Sequence, residues 1–331
     1  MTDFFSPAAL ESISEHLLPG LWTLLVALLV SIAMVPVALW LSRRFGVLAQ
    51  PGGRHAHANP TPMLGGLAMW AGFAAGTLLF AHLNLETVAV LVVSGLAMAL
   101  LVIDDKRGMR PLVKLGVQVG LALLAVVGFG IEIKFFSLPG GHIVQLGLLV
   151  APVSVFWLVG MQNTVNFLDG ADGLAAGVVA IVALVLMLAA GQLGQLEVVQ
   201  LSGALAGCCA GFLLFNFPPA RIFMGDSGAH FLGIALGMIS IVGIAKVAVA
   251  FALAAPVLAL ALPIATPAGP SCAGAGRAGR WRRPTRCTST TGCSPSAWTR
   301  ARPVSSSTPR ARCWAASASP SSGTAASWPW S

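Results

Sequence analysis

The chain has 331 residues, of which 56% are hydrophobic and only 9% charged, and its mean hydropathy is +0.85. That excludes an ordinary soluble domain, which carries about a quarter of its residues as Asp, Glu, Lys and Arg, and describes an integral membrane protein. The net charge of +8 belongs to one end: all 11 acids precede residue 265 and nine of the 19 basic residues follow it, so the body is near −1 and gives no footing for nucleic-acid binding.

Crossing a bilayer as a helix takes roughly 20 apolar residues. Nine runs approach that length, near 20–41, 63–81, 87–103, 113–131, 147–161, 173–191, 199–216, 228–244 and 246–264, the last boundary resting on Lys246. Residues 1–19 read as a short amphipathic lead-in, and the first run is too long and too lightly flanked by charge for a cleaved signal peptide. No soluble domain of useful size precedes residue 264. The expected fold is therefore all-α: a polytopic membrane bundle of about nine transmembrane helices in residues 1–264, followed by a disordered tail in 265–331. Cys208 and Cys209 fall mid-span as packing residues, and the tail cysteines 272, 287, 293 and 313 match no zinc spacing.

If the first span runs outside to inside, segments 42–62, 104–112, 162–172 and 217–227 share one face. They hold Arg43, Arg44, Arg54, Lys106, Arg107, Arg110 and Arg221, against only Lys134 on the other face, so the positive-inside rule makes them cytoplasmic. Five of the six aspartates, Asp104, Asp105, Asp169, Asp172 and Asp226, lie on that same side.

In chain order, the first of these segments carries Arg54, His55 and His57, cationic or hydrogen-bonding groups suited to phosphate. Asp104 and Asp105 end the third span, where their mutual repulsion would be relieved by a bound Mg²⁺ or a proton. Lys114 and Gln118, four apart on the next helix, share a face within reach of a phosphate. Asn163, Asn166, Asp169 and Asp172 form the densest polar stretch. The two aspartates point the same way if the segment turns helically into the sixth span, and Gly170 and Gly173 permit close backbone approach. Hard cations take such oxygen ligands, and Mg²⁺ keeps waters and substrate phosphates as well. Phe223 to Gly228 opens the eighth span and sets Asp226 near a helix N-terminus, a position whose free N–H groups favour anions.

Together, Arg54 to Gly66, Asp104-Asp105 with Lys114 and Gln118, Asn163 to Gly177, and Phe223 to Gly233 resemble the polyprenyl-phosphate N-acetylhexosamine-1-phosphate transferases (glycosyltransferase family 4), in family order across residues 20–264. The resemblance implies a helical bundle with a cytoplasmic Mg²⁺ site, Mn²⁺ being an alternative metal. It implies transfer of a sugar-1-phosphate, GlcNAc-1-phosphate first, from a UDP-sugar to undecaprenyl phosphate, with release of UMP. The setting would be a bacterial inner membrane, with cell-envelope polysaccharide as the end and a homodimer as one assembly. By the same resemblance Asp104, Asp105, Asp169 and Asp172 are catalytic. Arg54, His57, Lys114, Asn163, Asn166 and Phe223 bind substrate, with Phe223 stacking on uracil, and Asp226 and Asp104 are metal ligands. The split between base and metal ligand among the aspartates stays open. Two other readings stand beside it: the transferase of a UDP-muramoyl-pentapeptide, and an ion-coupled transporter, which would place carboxylates near mid-span rather than at span ends.

The chain departs from that family where His55 takes a usual basic position, where no acid stands near Ala49-Gln50, and above all after residue 264, where no histidine appears. A His-x-His-His motif is expected there. With codons from Cys287 onward ending in C or G, reading one base earlier converts Thr288 to Trp298 into His-Leu-His-His-Arg-Leu-Leu-Ala-Leu-Gly-Leu. The tail is thus read as a frameshifted segment following a one-base loss near codon 264–265, a change expected to leave this chain inactive.

Overall fold

A computed structural model describes residues 7–49, 60–137 and 143–243 of the chain. Eight helices occur among them: α1 (Pro7–Phe45), α2 (Gly65–Phe80), α3 (Leu85–Arg107), α4 (Pro111–Leu123), α5 (Val150–Leu168), α6 (Leu174–Gln192), α7 (Leu196–Asn216) and α8 (Gly225–Val242). Seven helical segments are long and apolar enough to cross a membrane, α4 reaching that length with a π-helical turn at Leu124–Gly128. The 16 residues of α2 rise about 24 Å, short of a hydrocarbon core of about 30 Å. Eight of the nine expected runs are therefore helices; the ninth, 246–264, and the tail lie outside the described residues.

Boundaries differ from those of the apolar runs in two places. The expected lead-in is continuous with α1 from Pro7, and the helix runs through Pro19 and Pro36. Helix α5 continues past the apolar run to Leu168 because nothing between Trp157 and Leu168 ends a helix, which sets Asn163 and Asn166 on its last turns instead of in a loop. Two small antiparallel pairs supplement the all-α reading. Strand β1 (Leu48–Ala49) pairs with β2 (Thr61–Pro62), Leu48 opposite Pro62, and β3 (Phe135–Ser137) pairs with β4 (Ile143–Gln145).

Helix α7 sits at the centre of the packing, buried along most of its length, with Cys208 and Cys209 fully enclosed. A stripe of Gly203, Gly207 and Gly211 lets it lie directly on α1: a Cβ at these positions would stand 2.4, 2.1 and 2.6 Å from the carbonyl oxygens of Gly20, Leu24 and Leu28. Small residues let helix backbones approach where lipid leaves no hydrophobic drive to hold them together, and buried hydroxyls add bonds across the seam. Here Thr23 Oγ1 donates to the Gln200 carbonyl (3.1 Å) and Ser31 Oγ to that of Cys208 (3.0 Å). Helix α8 is buried still more completely, although it is the least apolar of the spanning helices. It packs against α3 and α5, so the ends of α3, α4, α5 and α8 that carry polar side chains meet at one end of the bundle.

Candidate active site

The two adjacent aspartates of α3 have separate partners. Asp105 caps α8: its Oδ1 accepts from the Asp226 N–H (2.6 Å) and its Oδ2 from the Ser227 N–H (3.2 Å). Opening α8 this way requires Gly225, whose φ is +74° and whose missing Cβ would lie 2.7 and 2.8 Å from the Asp105 oxygens. The first free N–H groups of α8, expected to attract an anion from outside, are thus taken by a carboxylate of the chain itself. Asp104 instead turns its Oδ1 to the Met109 N–H (2.5 Å) and its Oδ2 to Lys114 Nζ (3.1 Å). Lys114 also reaches Asp226 Oδ2 at 2.7 Å, so one ammonium joins α3 to α8 from the first turn of α4.

Asp226 receives a third contact: Asn166 Nδ2 donates to its Oδ1 (2.5 Å). Its side chain is 38% exposed, whereas that of Asp104 is 6% exposed. The helical placement of Asn166 and Asn163 on α5 is what lets them face α8 and α4. Gln118, one turn beyond Lys114, pairs its carboxamide with Asn163 and touches the fully buried His230, a residue not singled out from the sequence.

Asp169 and Asp172 lie on a turn rather than on a helical entry to the sixth span, because helix α5 ends at Leu168 and α6 begins only at Leu174. Asp169 caps the end of α5, its N–H donating to the Val165 carbonyl (3.2 Å). Burial, then the nearby charges of Asp226, Asp105 and Asp172, push its pKa well above the usual carboxylate range. Asp172 Oδ2 accepts from the Ala220 N–H (3.0 Å). Next to it, Gly173 (φ +73°) donates its N–H to Asn216 Oδ1 (3.0 Å), while Asn216 Nδ2 donates to the Ile222 carbonyl (2.8 Å). Asp172 and Asn216 therefore tether the segment leading into α8. Phe223 also acts through its backbone: its N–H donates to the Pro62 carbonyl (2.8 Å) and its carbonyl accepts from Gly65 (3.0 Å). Phe223 as a whole is 7% exposed, so little of it is open for stacking on a base. Arg54, His55 and His57 lie outside the described residues.

Among the described residues, no three His, Cys, Asp or Glu side chains form a self-sufficient metal cage. Mg²⁺ does not need one, since one or two carboxylates suffice when waters and substrate phosphates complete the shell. The donors fit: Asp226 is open, and Asp104 Oδ2 is buried with the Lys114 ammonium at 3.1 Å and no other hydrogen-bond donor.

The sequence profile of glycosyl transferase family 4 matches residues 87–244. The chain is similar to the "probable undecaprenyl-phosphate N-acetylglucosaminyl 1-phosphate transferase" of Bacillus subtilis (strain 168), 32% identical over 256 residues covering 76% of this chain and 71% of the relative. It is also similar to the decaprenyl-phosphate N-acetylglucosaminephosphotransferase of Mycolicibacterium smegmatis, 37% identical over 219 residues, where it spans about half (54%) of the relative and 60% of its own length. A phospho-N-acetylmuramoyl-pentapeptide-transferase from Moorella thermoacetica is 35% identical over 243 residues, 68% of this chain and 76% of that protein.

Proposed function

We propose, on the premise that this chain belongs to glycosyl transferase family 4, that it is built to transfer GlcNAc-1-phosphate from UDP-GlcNAc to a polyprenyl phosphate. The observation that carries the proposal is Lys114 set between Asp104 and Asp226 where four helix ends meet. Donor and acceptor are both anionic, one soluble and one a lipid. Such a pair meets only at a membrane surface, and only where charge is neutralised.

In the reaction, an oxygen of the polyprenyl phosphate attacks the sugar-bearing phosphorus of the donor. A P–O bond forms there as the phosphoanhydride P–O bond breaks, and UMP leaves with the electron pair. Asp226 and Asp104 would hold Mg²⁺ or Mn²⁺, which when bound supplies charge neutralisation to the diphosphate. Lys114 offers phosphate oxygens a second positive charge. Asp169, its pKa raised by burial and by the neighbouring carboxylates, is when ionised a stronger base than a free carboxylate and would take the proton of the acceptor phosphate. Asn166 fixes the carboxylate of Asp226, and Asp105, Asp172 and Asn216 keep the opening of α8 in place.

The one-sided basic residues support a site on the cytoplasmic face, and the bacterial relatives support an inner membrane. The absence of histidine after residue 264 supports the frame change there. The test is exchange of labelled UMP into UDP-sugars in membranes, with and without Mg²⁺, for this chain and a frame-restored form. UDP-GlcNAc is the expected substrate. Exchange into UDP-MurNAc-pentapeptide instead would move the chain to the reading favoured by the Moorella relative. No exchange by the restored form with any UDP-sugar would overturn the transferase assignment.

A further inference from the structure

His230 lies one turn into α8 from Asp226 and is wholly inaccessible, yet both ring nitrogens have polar neighbours. Nδ1 is 2.7 Å from the Asp226 carbonyl oxygen, and Nε2 is 2.7 Å from Gln118 Nε2. A carbonyl oxygen only accepts, so Nδ1 carries the proton and donates it. Gln118 Nε2 only donates, so His230 Nε2 is the bare, accepting nitrogen. The orientation can also be followed from the far end. Asn163 Nδ2 is 2.8 Å from the Val159 carbonyl, which fixes that side of the amide as its NH₂. The second N–H of the same nitrogen donates to Gln118 Oε1 (2.9 Å), which turns the Gln118 NH₂ toward His230. Two backbone carbonyls, on α5 and α8, therefore dictate one arrangement of three side chains.

That arrangement consumes both donors of Asn163. Its Oδ1 has only the Gln118 Nε2 at 3.4 Å, and Asn163 is exposed. From this geometry we propose that His230 is a positioning residue: through Gln118 it locks Asn163 as a pure hydrogen-bond acceptor. Asn163 then takes a hydroxyl or amide N–H of the UDP-sugar, and offers nothing to its phosphates, which need donors. The proposal deepens the transferase reading and rests on it for the identity of the ligand.

The relay is tested first without ligand, by ¹⁵N NMR of the ring nitrogens in the detergent-solubilised full chain labelled at its six histidines. The resonances that vanish in His230→Gln should be those of a neutral Nδ1–H ring, and Gln118→Leu should shift the bare Nε2. An Nε2–H ring, an imidazolium, or an Nε2 indifferent to Gln118→Leu overturns the relay whatever the protein binds. The second arm measures affinity for UDP-GlcNAc and for UDP. His230→Leu should weaken UDP-GlcNAc binding roughly 3- to 10-fold, the size of one hydrogen bond, and His230→Gln, which retains an acceptor, should recover most of it. An equal loss for UDP puts the donor on the nucleoside; a loss confined to UDP-GlcNAc puts it on the sugar. Unchanged affinity in His230→Leu overturns the positioning role. The expected NMR signature with no binding of any UDP-sugar by a frame-restored chain would leave the relay standing and count against the transferase reading.

Discussion

Lys114 decides how the acids of the site coexist. Asp104 and Asp226 stand 3.1 and 2.7 Å from its ammonium, and it is the cation that both share. Asp226→Asn keeps the size and the Asn166 contact region but removes an anion from the most open position, so UMP exchange by a frame-restored chain should fall about 100-fold or more, with little change in melting temperature. Asp169 gives a pH prediction with a definite sign. Its raised pKa means that the folded protein retains a proton the unfolded chain has lost, so its contribution is full at low pH and disappears as pH rises through the raised value. Asp169→Asn stays neutral throughout. In metal-free buffer its melting temperature should match the parent at about pH 4 and exceed it by a growing margin toward about pH 8. The glycine-flanked aspartates were readable from sequence because acids in so apolar a chain are costly without a purpose. Their division of labour was not, because Asp104 and Asp105 differ only in which neighbouring helix each meets. His230 was hidden for another reason: amid the apolar residues of α8 it looks like a packing residue, and its partner lies 112 positions away.

At the scale of elements, the α1–α7 seam is the most exacting contact. Gly207→Leu would drive a side chain into the Leu24 carbonyl, where even a Cβ has 2.1 Å. The expected loss is about 3 kcal/mol or failure to fold, measured as detergent-denaturation stability. Gly116→Ala, at a helix position with nothing within 4 Å of the added carbon, should fold normally. Hydrophobic runs located the helices well because a bilayer demands length and apolarity before anything else. Their ends were located poorly. Lipid-length arguments stop a span where polarity begins, whereas α5 carries its hydrogen bonding on through Asn163 and Asn166 to a cap at Asp169. The asparagines thereby become helical side chains facing α4 and α8, which a loop would not have guaranteed.

For the whole molecule, the polar side chains of α3, α4, α5 and α8 gather, among the described residues, at one end of the bundle. Single cysteines introduced at Met109, Gly170 and Ala220, with Cys272, Cys287, Cys293 and Cys313 replaced by Ser and Cys208 and Cys209 left buried, should react with an impermeant maleimide only when the face proposed as cytoplasmic is opened. One introduced at His82 should react from the opposite side. Labelling of all four from the same side would contradict the alternating path of the spans. In the sequence this alternation rests on the distribution of Arg and Lys, while the small strand pairs left no comparable trace in composition.

The capping of α8 by Asp105 bears on what the protein ignores. Helix N-termini collect sulfate, free phosphate and nucleotide tails because their N–H groups are vacant. In this chain that receptor is filled from within by a residue 121 positions earlier. Inorganic phosphate should therefore be a poor competitor, and only a ligand that brings a cation, or finds one in Lys114, gains a hold beside so many acids. The chain is screened against the commonest small anions of its surroundings by occupying their usual landing place itself.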